Sequence, residues 1–112
     1  MSNITRAELG EMRRAAAKIV SIADQFRDEY TSMYMVIHDR LVNSWVGVDS
    51  DSFVNNVDSV RYKFDNMFDT MNDYARAILD AVERYEEQIR EMEEAARRME
   101  FEAEMGNRED LI

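Results

Sequence analysis

One tripeptide, Trp45-Val46-Gly47, constrains the fold of this chain more than any other feature. It contains the only Trp and one of three Gly in a sequence without Pro. Glycine lets a chain reverse without a clash at Cβ, and tryptophan supplies a large apolar surface that fixes such a reversal against neighbouring helices. Because the tripeptide lies near the middle of 112 residues, the sequence predicts two helices joined by a turn there.

The residue composition favours helices in a single domain. A chain of 112 residues forms one domain, and Ala, Met, Glu and Arg are good helix formers. The sequence contains no Cys, so neither disulfides nor cysteine-based metal sites are expected. The formal net charge of −10 argues against binding to nucleic acid or to anionic lipid, since both require a basic surface.

A first helix is predicted over about residues 5–44. Thr5 and Glu8 have the spacing of a capping box at its start. Apolar or small residues then recur at alternating intervals of three and four, which is the pattern of a helix packed lengthwise on another helix. The part of this seam that we assign to the core or to a dimer contact contains Phe26, Tyr30, Met33 and Ile37.

A turn is predicted at residues 45–49 and a second helix over about residues 50–104. Asp49 is a suitable N-cap for this helix, and Gly106 followed by Asn107 is typical of a helix end. Its seam contributes Val57, Val60, Phe64, Met67 and Met71 to the same core or dimer contact. The seam then continues through Tyr74, Ile78 and Val82, and the two consecutive four-residue steps predict a stutter.

The two predicted helices are unequal in length. Folding back at Gly47 brings Thr5 near Ile89, so residues from about 90 onward extend beyond the hairpin. From Val82 to the C-terminus there are 11 acidic and 5 basic residues. The sequence therefore predicts an exposed acidic overhang at the end of the second helix.

A lone hairpin would leave much of its broad apolar stripe in water. Burying one large apolar side chain is worth about 1.5–3 kcal/mol, so pairing of two hairpins is strongly favoured. The predicted fold class is all-α: an antiparallel two-helix hairpin that dimerises into a four-helix bundle.

Residues that could support catalysis are scarce. His38 is the only His, and a straight hairpin lacks the concave pocket in which a general base acts. Asp49 and Asp51 resemble the start of a calcium loop, but Val54 and Val60 stand where that loop needs Gly and Glu. We therefore predict no enzymatic activity, no cofactor and no metal site.

The tripeptide Trp45-Val46-Gly47 also carries a family resemblance. Phe53 follows the Trp by eight positions, and the motif lies between two seamed helices without Pro. Over residues 5–104 the chain resembles the WXG family of type VII secretion substrates, the ESAT-like proteins. The resemblance implies homodimers, or heterodimers with a sibling WXG protein or with the N-terminal domain of a toxin. It also implies that a type VII secretion ATPase recognises the protein.

The same resemblance implies a secretion signal, Tyr-x-x-x-Asp/Glu, near the end of the second helix. Tyr85 stands roughly where that Tyr is expected, but Ile89 occupies the position of the acid. The neighbouring acids Glu86 and Glu87 have a different spacing. The candidate signal region therefore comprises these four residues, without a match to the motif itself.

The leading hypothesis is a small non-enzymatic protein that a type VII system exports and that acts as an effector through protein–protein contacts. It would be cytoplasmic before export and secreted without a cleavable signal peptide. One alternative is an escort or adaptor partner of a larger type VII-secreted toxin. Another is an intracellular coiled-coil adaptor.

Overall fold

The protein is an antiparallel pair of long helices, in a computed structural model that describes residues 4–45 and 47–110. The helices are α1 (Arg6–Val36), a π-helical segment (Ile37–Leu41), α2 (Val42–Ser44) and α3 (Val48–Asp110). α3 runs back along α1, and no strand occurs in the described part of the chain. The predicted all-α hairpin is therefore confirmed.

The start of α1 has the predicted capping box. The Thr5 hydroxyl accepts a hydrogen bond from the Glu8 backbone N–H at 3.1 Å. The Glu8 carboxylate accepts one from the Thr5 N–H at 3.4 Å. These two bonds satisfy backbone donors that have no partner within the helix, and they fix where α1 begins.

Before the turn, the helix widens into one π-helical stretch. Two side chains that follow this stretch bond back to its carbonyl oxygens. The Asn43 amide donates to the Asp39 carbonyl, and the Ser44 hydroxyl donates to the Arg40 carbonyl, each at 2.6 Å. The sequence did not predict the π-helical segment, although short polar side chains often bond to the carbonyl four residues earlier.

The chain reverses between Trp45 and α3. Trp45 is extended, and Gly47 has a φ of +143°, a conformation that side chains with a Cβ rarely adopt. The Gly47 carbonyl accepts the Asp51 N–H at 3.1 Å, which begins α3. α3 starts at Val48, so Asp49 lies in its first turn instead of capping it as predicted. There its carboxylate still interacts favourably with the positive end of the helix dipole.

The predicted end of the second helix at about residue 104 is wrong. Gly106 lies inside α3, which continues to Asp110. A glycine ends a helix when the chain takes up a left-handed conformation there, and Gly106 remains helical. Its entropic penalty of about 1 kcal/mol does not by itself outweigh continued backbone hydrogen bonding.

The core is a narrow seam between α1 and α3. On α1 the buried residues are seven positions apart, and on α3 two buried residues have the same spacing. They are Leu9, Ala16, Ala23 and Tyr30 on α1, and Ala75 and Val82 on α3. Three of these six are alanines, and small side chains let two helix backbones approach closely.

The seam of α3 differs from the prediction at Tyr74. This tyrosine is 63% exposed, whereas its neighbour Ala75 is 2% exposed. Because the half-buried Phe68, and not the exposed Met67, precedes Met71, the seam passes through Phe68, Met71, Ala75, Ile78 and Val82 in steps of three, four, three and four, without a stutter. The prediction favoured the larger apolar side chain, but the position between closely packed helices takes the small one.

Ion pairs show the register of the hairpin. Arg6 Nη2 lies 2.6 Å from Glu93 Oε1, and seven residues along, Arg13 pairs with Glu86. The paired region thus reaches Glu93, a few residues beyond the limit near Ile89 that the sequence predicted.

We call residues 94–110 the overhang. α3 has 63 residues, about 95 Å at 1.5 Å per residue, and the molecule measures 98 × 16 × 16 Å. α3 therefore sets the length of the molecule, and the overhang continues beyond the last residues that α1 contacts.

Candidate protein interaction surface

One long side of the hairpin is apolar. Its side chains follow one line on each helix, and the members of each line are seven residues apart, so they share a side of their helix. We call this the apolar face, and it comprises Met12, Ile19, Phe26 and Met33 on α1 and Phe53, Val60, Met67 and Tyr74 on α3. Met33, Val60, Met67 and Tyr74 are exposed. A contiguous exposed apolar surface of this kind marks an interaction site.

The apolar face deepens into a groove near the turn. A cavity of about 240 Å³ lies between the helices. Its lining residues are Tyr30, Met33, Tyr34, Ile37, Phe53, Asn56, Val57, Val60, Arg61 and Phe64. At its base Phe64 packs edge-on against Phe26, with ring centroids 5.6 Å apart. The groove thus has an aromatic floor and a largely apolar lining, which suits insertion of apolar side chains from another helix.

The turn residues lie at one end of this face. The rings of Trp45 and Phe53 are 5.6 Å apart and inclined by 45°. The backbone N–H of Trp45 donates to the Leu41 carbonyl at 2.9 Å, and the Trp45 residue is 41% exposed. The structure therefore brings together Trp45, Gly47 and Phe53 of the predicted motif, while Val46 lies outside the described residues.

The predicted seam residues divide into two groups. Tyr30 is buried, and Phe26, Ile37, Val57, Phe64 and Met71 are half-buried between the helices. Met33, Val60 and Met67 are exposed on the apolar face. The first group already packs within the hairpin. Contact of the second group with another copy stays a prediction.

The opposite long side is polar. Its residues again follow one line of seven-residue spacing on each helix: Arg6, Arg13, Val20, Arg27 and Tyr34 on α1, and Asp58, Asp65, Asn72, Leu79, Glu86 and Glu93 on α3. We call this the polar face. Besides the two ion pairs of Arg6 and Arg13, the Arg27 guanidinium lies 4.6 Å from the centre of the Phe68 ring. Most charged groups on this side thus have partners within the hairpin.

A polar cluster closes this face near the turn. Tyr34 donates its hydroxyl proton to Asp58 Oδ1 at 2.7 Å, and His38 Nε2 lies 3.2 Å from the same oxygen. The Arg61 guanidinium stacks on Tyr34 at 4.1 Å from the ring centre. The Tyr34 hydrogen bond, with a smaller contribution from His38, lowers the pKa of Asp58. The imidazole of the only His therefore serves a cross-helix contact.

A second tyrosine joins the seam to the polar face. The Tyr30 hydroxyl donates to Asp65 Oδ1 at 2.5 Å. Burial of the ring, with a further contribution from this hydrogen bond, raises the pKa of Tyr30 to about 12. The sequence placed Tyr30 in the seam but did not identify Asp65, whose seven-residue spacing from Asp58 was the available signal.

The candidate signal region lies within the paired part of the hairpin. Tyr85 and Ile89 are half-buried, and Glu86 is bound by Arg13. Glu87 pairs with Arg90 at 2.5 Å on its own helix. These side chains thus have structural contacts, and their role in export stays a prediction.

Within residues 4–45 and 47–110, no three His, Cys, Asp or Glu side chains are grouped so that they could hold a metal ion. Among the helices described, none has the length and apolar character needed to cross a membrane.

Comparison with known proteins decides the family. The model of a family described as proteins of 100 residues with WXG matches residues 4–88. The chain belongs to the WXG100 family. WXG100 members are small helical proteins of type VII secretion systems, so the predicted resemblance is confirmed. No curated protein and no solved structure matches the chain. The WXG100 match ends at residue 88, before the overhang begins.

Proposed function

We propose that this WXG100 protein is a non-enzymatic substrate of a type VII secretion system, exported as a dimer, that acts through contacts with other proteins. The observation that supports this proposal is the apolar face. It lies on a hairpin whose charged groups on the other side are largely paired, so one side is left to bind a partner.

A second copy of the chain fits the apolar face. From Phe53 to Tyr74 the α3 line extends about 30 Å, and the α1 line runs beside it. Two such faces packed together form a four-helix bundle and exceed the roughly 1,000 Å² that a stable interface requires. Each apolar side chain that the contact buries contributes about 1.5–3 kcal/mol before the cost of association is subtracted.

Light scattering of the purified protein at micromolar concentration tests the dimer. We expect about twice the chain mass of 13.2 kDa. A mass of one chain would contradict the homodimer. If co-expression with the products of neighbouring genes converts the protein into a one-to-one heteromer, the protein is an escort or adaptor and not a self-paired substrate.

Replacement of Trp45 tests export. Trp45→Ala removes the exposed indole together with its contact to Phe53. We expect less protein in the culture supernatant while the dimer mass is retained. Tyr62→Ala, at another exposed aromatic on α3, is the control and should be exported normally.

Two outcomes would contradict this account of export. Equal loss of dimer and export in Trp45→Ala would mean that the indole only stabilises the turn. Export that continues after deletion of the secretion ATPase, or no export of the native protein, would exclude the type VII pathway for this chain.

A further inference from the structure

The overhang continues the helix–helix interface beyond the end of α1. The seam line of α3 runs through Ala75 and Val82, and its next positions at seven-residue spacing include Ala96 and Ala103. Small residues recur here as they do where α1 and α3 approach most closely. The line next to the seam on the surface of α3 continues with Met92 and Met99, which are 65% and 69% exposed.

The charge pattern continues in the same register. Glu86 binds Arg13 and Glu93 binds Arg6, so arginines on an antiparallel helix meet acids at seven-residue spacing on α3. The next acid of the series is Glu100. α1 begins at Arg6, so no described residue of α1 lies opposite it.

We propose that the overhang docks an antiparallel helix of another protein, which extends the line of α1. This helix carries small or aliphatic residues toward Ala96, Met99 and Ala103 and an arginine or lysine opposite Glu100. The seam is continuous with the α1–α3 interface, and the line of acids that meets the arginines of α1 continues to Glu100, with Arg97 one turn away.

The charges disfavour a second copy as the occupant. Antiparallel pairing of two overhangs brings the line of Glu93 and Glu100 on one copy against the same line on the other. Acids then face acids, and like charges across a helix pair are destabilising. The α1 of another copy does not supply the helix either, because Arg6 and Arg13 already bind its own α3. The overhang and the apolar face are therefore separate surfaces, and this proposal does not depend on export.

A helix with the pattern of α1 is the probe. A helix-stabilised peptide with the sequence of residues 6–19 carries small and apolar seam residues and an arginine that the register places opposite Glu100. We expect it to bind the full-length protein and to shift the NMR methyl signals of Met92 and Met99. The signal of Met35, on an exposed position of α1, should stay unchanged.

Charge reversal makes the test specific. A peptide with Glu in place of Arg13 should bind about fivefold more weakly. This is the effect expected for one exposed ion pair of up to about 1 kcal/mol. Glu100→Arg in the protein should reverse the preference between the two peptides. This exposed residue lies outside the paired hairpin, so its replacement leaves the hairpin intact.

Three results of the peptide experiments would overturn the proposal. They are no binding of either peptide at millimolar concentration, a preference that Glu100→Arg leaves unchanged, and methyl shifts at Met67 in place of Met99. A dimer that dissociates on Met99→Glu would also overturn it, because the overhang would then be occupied by a second copy.

Discussion

The two long sides of this hairpin are built from the same two helices with the same seven-residue spacing, yet they differ in what they leave unsatisfied. On the polar face, Arg13 pairs with Glu86 and Tyr34 bonds to Asp58, so polar groups find partners within the chain. On the apolar face, Val60 and Met67 remain in water. We infer that the polar face stabilises the hairpin itself and that the apolar face is available for association.

The largest expected effect distinguishes these two sides directly. Val60 on the apolar face and Leu79 on the polar face are both on α3 and are 43% and 42% exposed. Val60→Lys would bury a charge in the proposed dimer contact, at a cost of about 3 kcal/mol or more. We expect the dissociation constant of the dimer to rise at least about 100-fold. Sedimentation over a concentration series measures it.

Leu79→Lys is the matched control for this prediction. Its side chain lines a surface depression with Val20, Asn72 and Arg76 on the other side of the hairpin, where a lysine can remain in water. We expect its dimer to dissociate as the native one does. If both variants dissociate equally, or if only Leu79→Lys does, the apolar face is not the dimer contact.

Much of this arrangement could be predicted from the sequence, and the failures have physical causes. The capping box at Thr5 and the reversal at Gly47 depend on local chemistry, which a single chain reveals. The choice between Tyr74 and Ala75 depends on how closely two helices approach, which no local pattern contains. The prediction consequently placed an exposed tyrosine of the apolar face inside the seam.

The polar contacts between the two helices could not be predicted from the sequence either. The bonds of Tyr34 and His38 to Asp58 join residues 24 and 20 positions apart, and their pairing requires the register of the hairpin. That register became clear only from the ion pair of Arg6 with Glu93. Likewise, Gly106 has the residue type of a helix end but stays helical, because residue type alone does not fix φ.

The turn decides which lines of α1 and α3 share a face, and its glycine is the next test. Gly47 has a φ of +143°, so Gly47→Ala should lower the free energy of unfolding by about 1–3 kcal/mol even though nothing crowds the added Cβ. Thermal or urea unfolding measures this change. Gly10 lies inside α1, and a Cβ added there would be 3.7 Å from the Arg14 guanidinium. Gly10→Ala should instead raise the free energy of unfolding by about 0.5–1 kcal/mol. Similar effects at both positions would mean that the backbone of the turn is unstrained.

A smaller effect is expected from the ion pairs of the polar face. A double-mutant cycle on Arg13→Ala and Glu86→Ala should give a coupling of about 0.2–1 kcal/mol, because both side chains are partly solvated. The exchanged pair, Arg13→Glu with Glu86→Arg, should recover most of the stability that either single reversal loses. A coupling of zero would leave the register to the apolar seam alone.

The smallest effect concerns pH and separates the two faces once more. The Tyr34 hydrogen bond lowers the pKa of Asp58 below its ordinary value near 3.8. A carboxyl with a lowered folded pKa stabilises the fold above its unfolded pKa, and this contribution is lost as the pH falls through the folded value. The free energies of unfolding of His38→Gln and of the double variant His38→Gln, Asp58→Asn should therefore converge below about pH 4.

The apolar face supplies the contrast for this titration. None of its eight residues is a carboxylic acid, so the dimer dissociation constant of Val60→Lys should not converge with the native value as the pH falls. The contrary result is that the free energies of unfolding measured with and without Asp58→Asn differ by the same amount down to pH 3. That result would mean that the Tyr34–Asp58 contact does not depend on the carboxylate charge. The polar face would then be held by packing, as the seam is, and its ionic contacts would be incidental to the hairpin.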